Sequence, residues 1–199
     1  MAVLYRKYRP QVFADVVGQA PIIATLKQAV ARKSPSHAYV FTGSRGVGKT
    51  SVARILAKAL NCPNVKAGEP CGVCETCVAI TEGKFLDLLE VDAASNTGVD
   101  NVRELIEHVR FSPTQGVYKV FIIDEVHMLS KPAFNALLKT LEEPPLHTVF
   151  ILATTEIYKL PLTIISRTQR FDFRPLSHAN VAAHLKDVAK KEKLTVEED

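Results

Sequence analysis

The sequence predicts an α/β fold in which a parallel sheet is covered by helices on both faces. Three observations lead there. Short β-branched and aromatic runs bounded by turn residues alternate, along most of the chain, with stretches whose apolar residues recur three or four apart. A glycine-rich loop stands directly between one such run and one such stretch, and another run ends in an acidic pair. Strands alternating with helices require crossover connections, which place helices on both faces of the sheet.

In chain order, Ile22, Leu26 and Val30 share one helical face, and Ala38-Tyr39-Val40-Phe41 reads as a buried strand. A helix follows through Val52, Ile55, Leu56 and Leu60, then a strand through Leu86, Leu88, Leu89 and Val91. Val102, Leu105, Ile106 and Val109 mark the next helix, Val117 to Ile123 the next strand, Phe134, Leu137, Leu138 and Leu141 another helix, and Thr148 to Ala153 another strand. From Pro175 onward the pattern changes. Ser177 can cap a helix carrying Val181, Leu185 and Val188, and no strand follows, so 176–199 reads as the start of a second, helical domain ending at Asp199.

A chain of 199 residues with 47% hydrophobic content can bury a core of its own. Its net charge of +4 permits nucleic-acid contact without demonstrating it. No apolar run is long enough to span a bilayer, and the opening residues lack an export signal, so no membrane partner and a cytoplasmic location are expected.

Gly43-Ser44-Arg45-Gly46-Val47-Gly48-Lys49-Thr50 fits G-x-x-x-x-G-K-[ST] between a strand and a helix, the context that pattern needs. Glycines let the backbone curl so that its N–H groups face phosphate oxygens, and the helix that follows offers its positive end. Lys49 is expected to neutralise the β- and γ-phosphates of ATP and Thr50 to hold Mg²⁺. Ser44, Gly46, Val47, Gly48 and Ser51 complete the expected nucleotide-binding stretch. The metal and the attacking water should lie beyond the carboxyl end of another buried strand, where Asp124 and Glu125 follow Val120-Phe121-Ile122-Ile123. Asp124 is expected at Mg²⁺ and Glu125 at the water. A histidine after such a pair is more often structural than catalytic, and His127 is given no role.

All four cysteines, Cys62, Cys71, Cys74 and Cys77, fall between one helix and the next strand. Four thiolates at this spacing suit a tetrahedral structural Zn²⁺ stapling an insertion at about 61–80, with an iron–sulfur cluster or free thiols as the competing readings.

Tyr5-Arg6-Lys7-Tyr8-Arg9-Pro10, Val17-Gly18-Gln19, the glycine-rich loop, the four-cysteine insertion, Asp124 to Leu129, Asn135 to Pro145, Ala153-Thr154-Thr155 and Ser166-Arg167 together resemble the gamma/tau family of bacterial DNA polymerase III clamp-loader subunits. The resemblance implies an AAA+ P-loop ATPase domain over 1–175, with a five-stranded parallel sheet, followed by a small helical lid. It also implies that Tyr5, Tyr8, Arg9, Pro10, Val17 and Gly18 lie near adenine, that Thr155 senses the γ-phosphate, and that Arg167 acts on the ATP of a neighbouring subunit. The family usually has Ser-Arg-Cys at this last place, where this chain has Ser166-Arg167-Thr168. Asn96, Thr97 and Lys131 are the implied DNA contacts. The implied partners are the delta and delta-prime subunits, further gamma/tau copies, the sliding clamp and primer–template DNA. Because the family's lid arginine and oligomerisation collar correspond to sequence beyond Asp199, weak activity is expected of the segment alone. Two other readings share the same loop and acidic pair: a helicase or branch-migration motor, and a nucleotide-binding scaffold without turnover.

Overall fold

The computed structural model describes residues 3–194; the last five residues of the expected helical domain lie outside the described residues. The elements run α1 (Leu4–Lys7), α2 (Ala20–Ala31), β1 (Ala38–Thr42), α3 (Lys49–Asn61), α4 (Glu75–Glu82), β2 (Leu88–Asp92), α5 (Val99–Val109), β3 (Lys119–Asp124), α6 (Lys131–Glu142), β4 (Thr148–Thr154), α7 (Leu162–Ile165), β5 (Gln169–Asp172) and α8 (His178–Lys191). All strand pairings are parallel, in the order β2-β3-β4-β1-β5.

Alternate side chains along each strand enter opposite layers. Tyr39, Phe41, Val120, Ile122, Val149 and Ile151 pack with α2 and α3 through Leu26, Val52, Ile55 and Leu56. Val40, Phe121, Ile123, Phe150 and Leu152 pack with α5, α6 and α7 through Val102, Leu105, Phe134, Leu137 and Ile164. Both sheet faces are covered, which is why β1, β3 and β4 read as continuous apolar runs. The edge strand β5 was implied only by the family resemblance: Gln169–Asp172 buries Phe171 alone, too little for a periodic signal.

The register brings the ends of the central strands together. Thr42 lies beside Thr154, and Ile123 beside Leu152, so Gly43, Asp124 and Thr155 leave the sheet at one edge. The opposite side of the molecule is tied by two buried polar side chains. Asp87 accepts from the backbone N–H groups of Thr114, Gln115 and Gly116, and the Asn61 amide oxygen accepts from those of Val117 and Tyr118. The loop into β3 thereby gains partners that no strand supplies. Ser177 caps α8, accepting from Asn180 N at 3.3 Å, as the sequence suggested. That helix buries none of its residues within the chain, and Glu192 beyond its end meets Lys7 and Tyr8. Among the described residues, no helix is long and apolar enough to cross a membrane.

Candidate nucleotide site and cysteine cluster

The loop between β1 and α3 takes its shape from its glycines. Gly43, Gly46 and Gly48 have φ of +148°, +80° and +97°. A Cβ on Gly43 would also lie 2.5 Å from the Phe173 carbonyl oxygen, so backbone conformation and crowding both exclude a side chain there. Val47 is buried in the core and anchors the loop from below. Ser51 lies in the first turn of α3.

Lys49 folds back over this loop, and its Nζ donates to the carbonyl oxygens of Gly43 and Ser44 at 2.7 and 2.9 Å. Burial pulls its pKa below the ordinary lysine value; the Glu125 and Asp124 carboxylates oppose that pull, and Arg45 adds to it. One residue on, Thr50 Oγ1 donates to Asp124 Oδ2 at 2.6 Å, joining α3 to the end of β3. Two hard oxygens on cis positions of an octahedral Mg²⁺ stand about 3 Å apart, so this pair fits such an ion after opening by a few tenths of an ångström.

Glu125 has φ of +46°, a costly conformation for a residue with a Cβ, which turns its side chain off the strand direction. Its carboxylate accepts from Thr155 Oγ1 at 3.1 Å and meets Arg45 Nε at 3.4 Å. Beneath it lies His127, whose side chain is 6% exposed and contacts Thr154 and Glu156. Arg45, Thr154 and Glu156 received no role from the sequence, and His127 was set aside there as more often structural than catalytic. Arg45 occupies an unspecified position of the loop pattern, and the other three meet through contacts between β4 and the turn after β3.

The remaining candidate residues are distributed around this centre. Gly18 borders a cavity of about 270 Å³ together with Gln19, Arg174, Leu176 and Asn180. Gln19 holds that cavity's wall by pairing both its amide atoms with the Arg174 backbone, at 2.7 and 3.2 Å. Val17 is half-buried beside it. Tyr5, Arg9 and Pro10 line a different cavity, of about 480 Å³, with Arg54, Lys58 and Thr81, and the Tyr8 hydroxyl donates to Glu192. The six residues expected around adenine are therefore split. Arg167, at the end of α7, pairs with Glu142 at 2.8 Å and donates to the Thr163 carbonyl. Thr97 sits against the start of α6, where Ser130 N donates to Thr97 O at 3.2 Å and Lys131 begins the helix, while Asn96 pairs with Asp92 and with Asn101 in α5.

The four cysteines converge. Their sulfurs all lie within 4.8 Å of one another, and Cys62 Sγ is 3.8 Å from Cys74 Sγ. That is the edge of a sulfur tetrahedron around zinc, about 3.8 Å for Zn–S bonds of about 2.3 Å. Backbone N–H groups of Val73 and Cys74 bring the Cys71 thiol down to about 6, whereas burial pushes Cys62 and Cys77 up. The arrangement is a buried four-sulfur cluster able to hold a structural zinc. Around it, Glu69 bridges the Ala14 N–H and Lys27, while Gln11 receives Lys58 and Thr81. The insertion thus binds the amino-terminal segment to α2 and α3.

A family profile described as "DNA polymerase III, delta subunit" matches residues 18–177. The chain is 56% identical over 98% of its length to the DNA polymerase III subunit tau of Bacillus subtilis, covering 35% of that protein. It is 50% identical over 98% of its length to the Escherichia coli subunit tau, covering 30% of it. It spans about a third of the length of these relatives. Among solved structures it resembles a DNA polymerase III gamma subunit-related protein of Thermotoga maritima, with a TM-score of 0.55 and 24% identity over 84% of this chain and 48% of that one. It also resembles the RuvB Holliday junction branch migration motor of the same organism, with a TM-score of 0.68 and 18% identity over 96% of this chain and 56% of that one. At these identities the two structures show a shared fold.

Proposed function

The chain belongs to the DNA polymerase III delta-subunit family, and from that premise we propose that it is the ATP-binding part of a clamp-loader motor subunit, whose nucleotide cycle loads a sliding clamp onto primed DNA. The observation that carries this reading is the hydrogen bond between Thr50 and Asp124, with Lys49 and Glu125 beside it. Loop 43–50 would receive the phosphates on its N–H groups, with Lys49 Nζ moving from the Gly43 and Ser44 carbonyls to the β- and γ-oxygens. Thr50 and Asp124 would hold Mg²⁺, which neutralises charge developing on the transferred phosphoryl group. Glu125 would orient or deprotonate the attacking water, and the Thr155 hydroxyl, already on Glu125, would report the γ-phosphate. The four cysteines would hold zinc as a structural staple, leaving chemistry to the other site.

In the assembled loader, Arg167 would enter the ATP site of a neighbouring subunit. Delta, delta-prime and further gamma/tau copies would be its neighbours, and residues from 176 onward would begin the helical lid. Asn96, Thr97 and Lys131, gathered at the starts of α5 and α6, would touch the DNA backbone, a mode that carries no base sequence.

Titration with a fluorescent ATP analogue and Mg²⁺ tests the reading. Micromolar binding by the wild-type chain and at least about 100-fold weaker binding by Lys49→Ala are expected, since a charged partner of the phosphates is worth several kcal/mol in a partly desolvated site. Equal affinities, or no binding by the wild type, would remove it.

A further inference from the structure

His127 makes more contacts than a merely space-filling ring requires. Its Nε2 lies 3.1 Å from Glu156 Oε1, and since a carboxylate oxygen can only accept, the proton in that contact belongs to Nε2. Its Nδ1 lies 3.0 Å from Thr154 Oγ1, a hydroxyl that also accepts the Glu156 N–H at 2.9 Å. The two contacts together fix the ring orientation. Glu156 is held from outside by Lys159 at 2.8 Å. The third neighbour of the ring is the Glu125 carboxylate, whose Oε2 is 3.5 Å from Nδ1, beyond hydrogen-bond reach. There the buried ring walls one side of the carboxylate, and Oε2 accepts from Thr155 Oγ1 at 3.1 Å on another.

We propose that His127 is a positioning residue: anchored by Glu156 and Thr154, its ring sets the orientation of the Glu125 carboxylate and couples it to the end of β4. The proposal rests on the reading in which Glu125 orients the attacking water. In it, the side chain does not touch nucleotide or water. Its contribution lies in keeping Glu125 within the narrow range of geometry that in-line attack requires, where a displacement of about 1 Å costs on the order of 100-fold in rate. Glu156 acts one step further out, by fixing the ring.

The test measures ATP turnover by the complete protein in its assembly, together with nucleotide Kd and Tm, for His127→Ala, Glu156→Ala, Glu156→Gln and the double variant His127→Ala/Glu156→Ala. His127→Ala and Glu156→Ala are expected to lower kcat about 10- to 100-fold with Kd unchanged within about twofold. Glu156→Gln should stay within about threefold of wild type, because its amide oxygen still accepts from Nε2–H. The double variant should be no slower than His127→Ala alone, as for residues acting through one path. Should His127→Ala fail to fold, the contrast between Ala and Gln at the partly exposed position 156 still decides. Full kcat in Glu156→Ala, loss in Glu156→Gln equal to that in Glu156→Ala, or losses that multiply in the double variant would overturn the proposal. A wild-type assembly that binds no nucleotide would instead sink the functional reading and the proposal together.

Discussion

Thr50 Oγ1 and Asp124 Oδ2 stand 2.6 Å apart although their residues are separated by 74 positions in the chain, one opening α3 and the other closing β3. The parallel order β2-β3-β4-β1-β5 creates this meeting, because β1 and β3 flank β4 and end at the same edge of the sheet. Under the proposed function the two oxygens would share an Mg²⁺, which would make each more important for turnover than for folding. Thr50→Val is therefore expected to reduce ATP hydrolysis by at least about 100-fold while Tm moves by less than about 4 °C, the shift that loss of one half-exposed hydrogen bond allows. Calorimetry beside a phosphate-release assay checks both. Loss of folding cooperativity in the variant would mean that the pair is a structural strut.

The cysteine cluster should contain one zinc per chain by elemental analysis. Stripping it with a strong chelator, or replacing the half-buried Cys71 by Ser, should lower Tm by about 10 °C or more, because binding energy at a structural zinc is also folding energy. The damage should spread to Phe13 and the amino-terminal segment, since Glu69 and Gln11 tie that segment to the insertion. Hydrogen exchange at residues 11–16 would follow it. An iron-rich, brown preparation would replace zinc with a cluster.

Asp87 yields a pH-dependent prediction. Burial alone would raise its pKa, but the N–H groups of Thr114, Gln115 and Gly116, with Lys119 nearby, outweigh burial and hold it below the ordinary 3.8. A depressed carboxylate pKa means that the unfolded chain binds the proton first. Its stabilisation is therefore complete above about pH 4 and disappears as pH falls through the folded-state pKa. Asp87→Ala orphans three N–H groups and should cost roughly 2–4 kcal/mol at pH 7 in urea unfolding. The difference from wild type should narrow below about pH 4. A gap independent of pH would assign the loss to packing.

These residues also show what could be read from the sequence. The 43–50 loop and the acidic pair were legible because each is local, a few residues whose backbone or strand position dictates the chemistry. The central strands were legible because burial on both faces leaves unbroken apolar runs. The edge strand β5, with only Phe171 buried, presents no such run. Nor do Asp87 and Asn61, whose value lies in backbone groups 27 to 57 residues away. His127 was set aside because a histidine after an acidic pair is more often structural than catalytic, and no spacing rule announces its partners at another strand's end.

Arg167 allows the question of subunit geometry to be put to a rate measurement. Within the chain it pairs with Glu142, half exposed, a contact worth about 0–1 kcal/mol, so Arg167→Ala should leave Tm nearly unchanged. Its described contacts are with Glu142, Thr163 and Ser166, none of them in the loop 43–50 or the acidic pair, so nucleotide affinity should also persist. Hydrolysis by the assembly should nevertheless fall by about 10³-fold or more, as when a guanidinium is withdrawn from a phosphoryl transition state. Mixing decides whether it acts on a neighbour. Arg167→Ala chains retain a complete loop, and Lys49→Ala chains retain the arginine, so each pure assembly is inactive. If the arginine reaches across the interface, random co-assembly of equal amounts places an intact loop beside an intact arginine at about a quarter of interfaces, and turnover returns in that proportion. If Arg167 served its own chain, every mixed interface would lack one group or the other, and the mixture would be no faster than the sum of its parts.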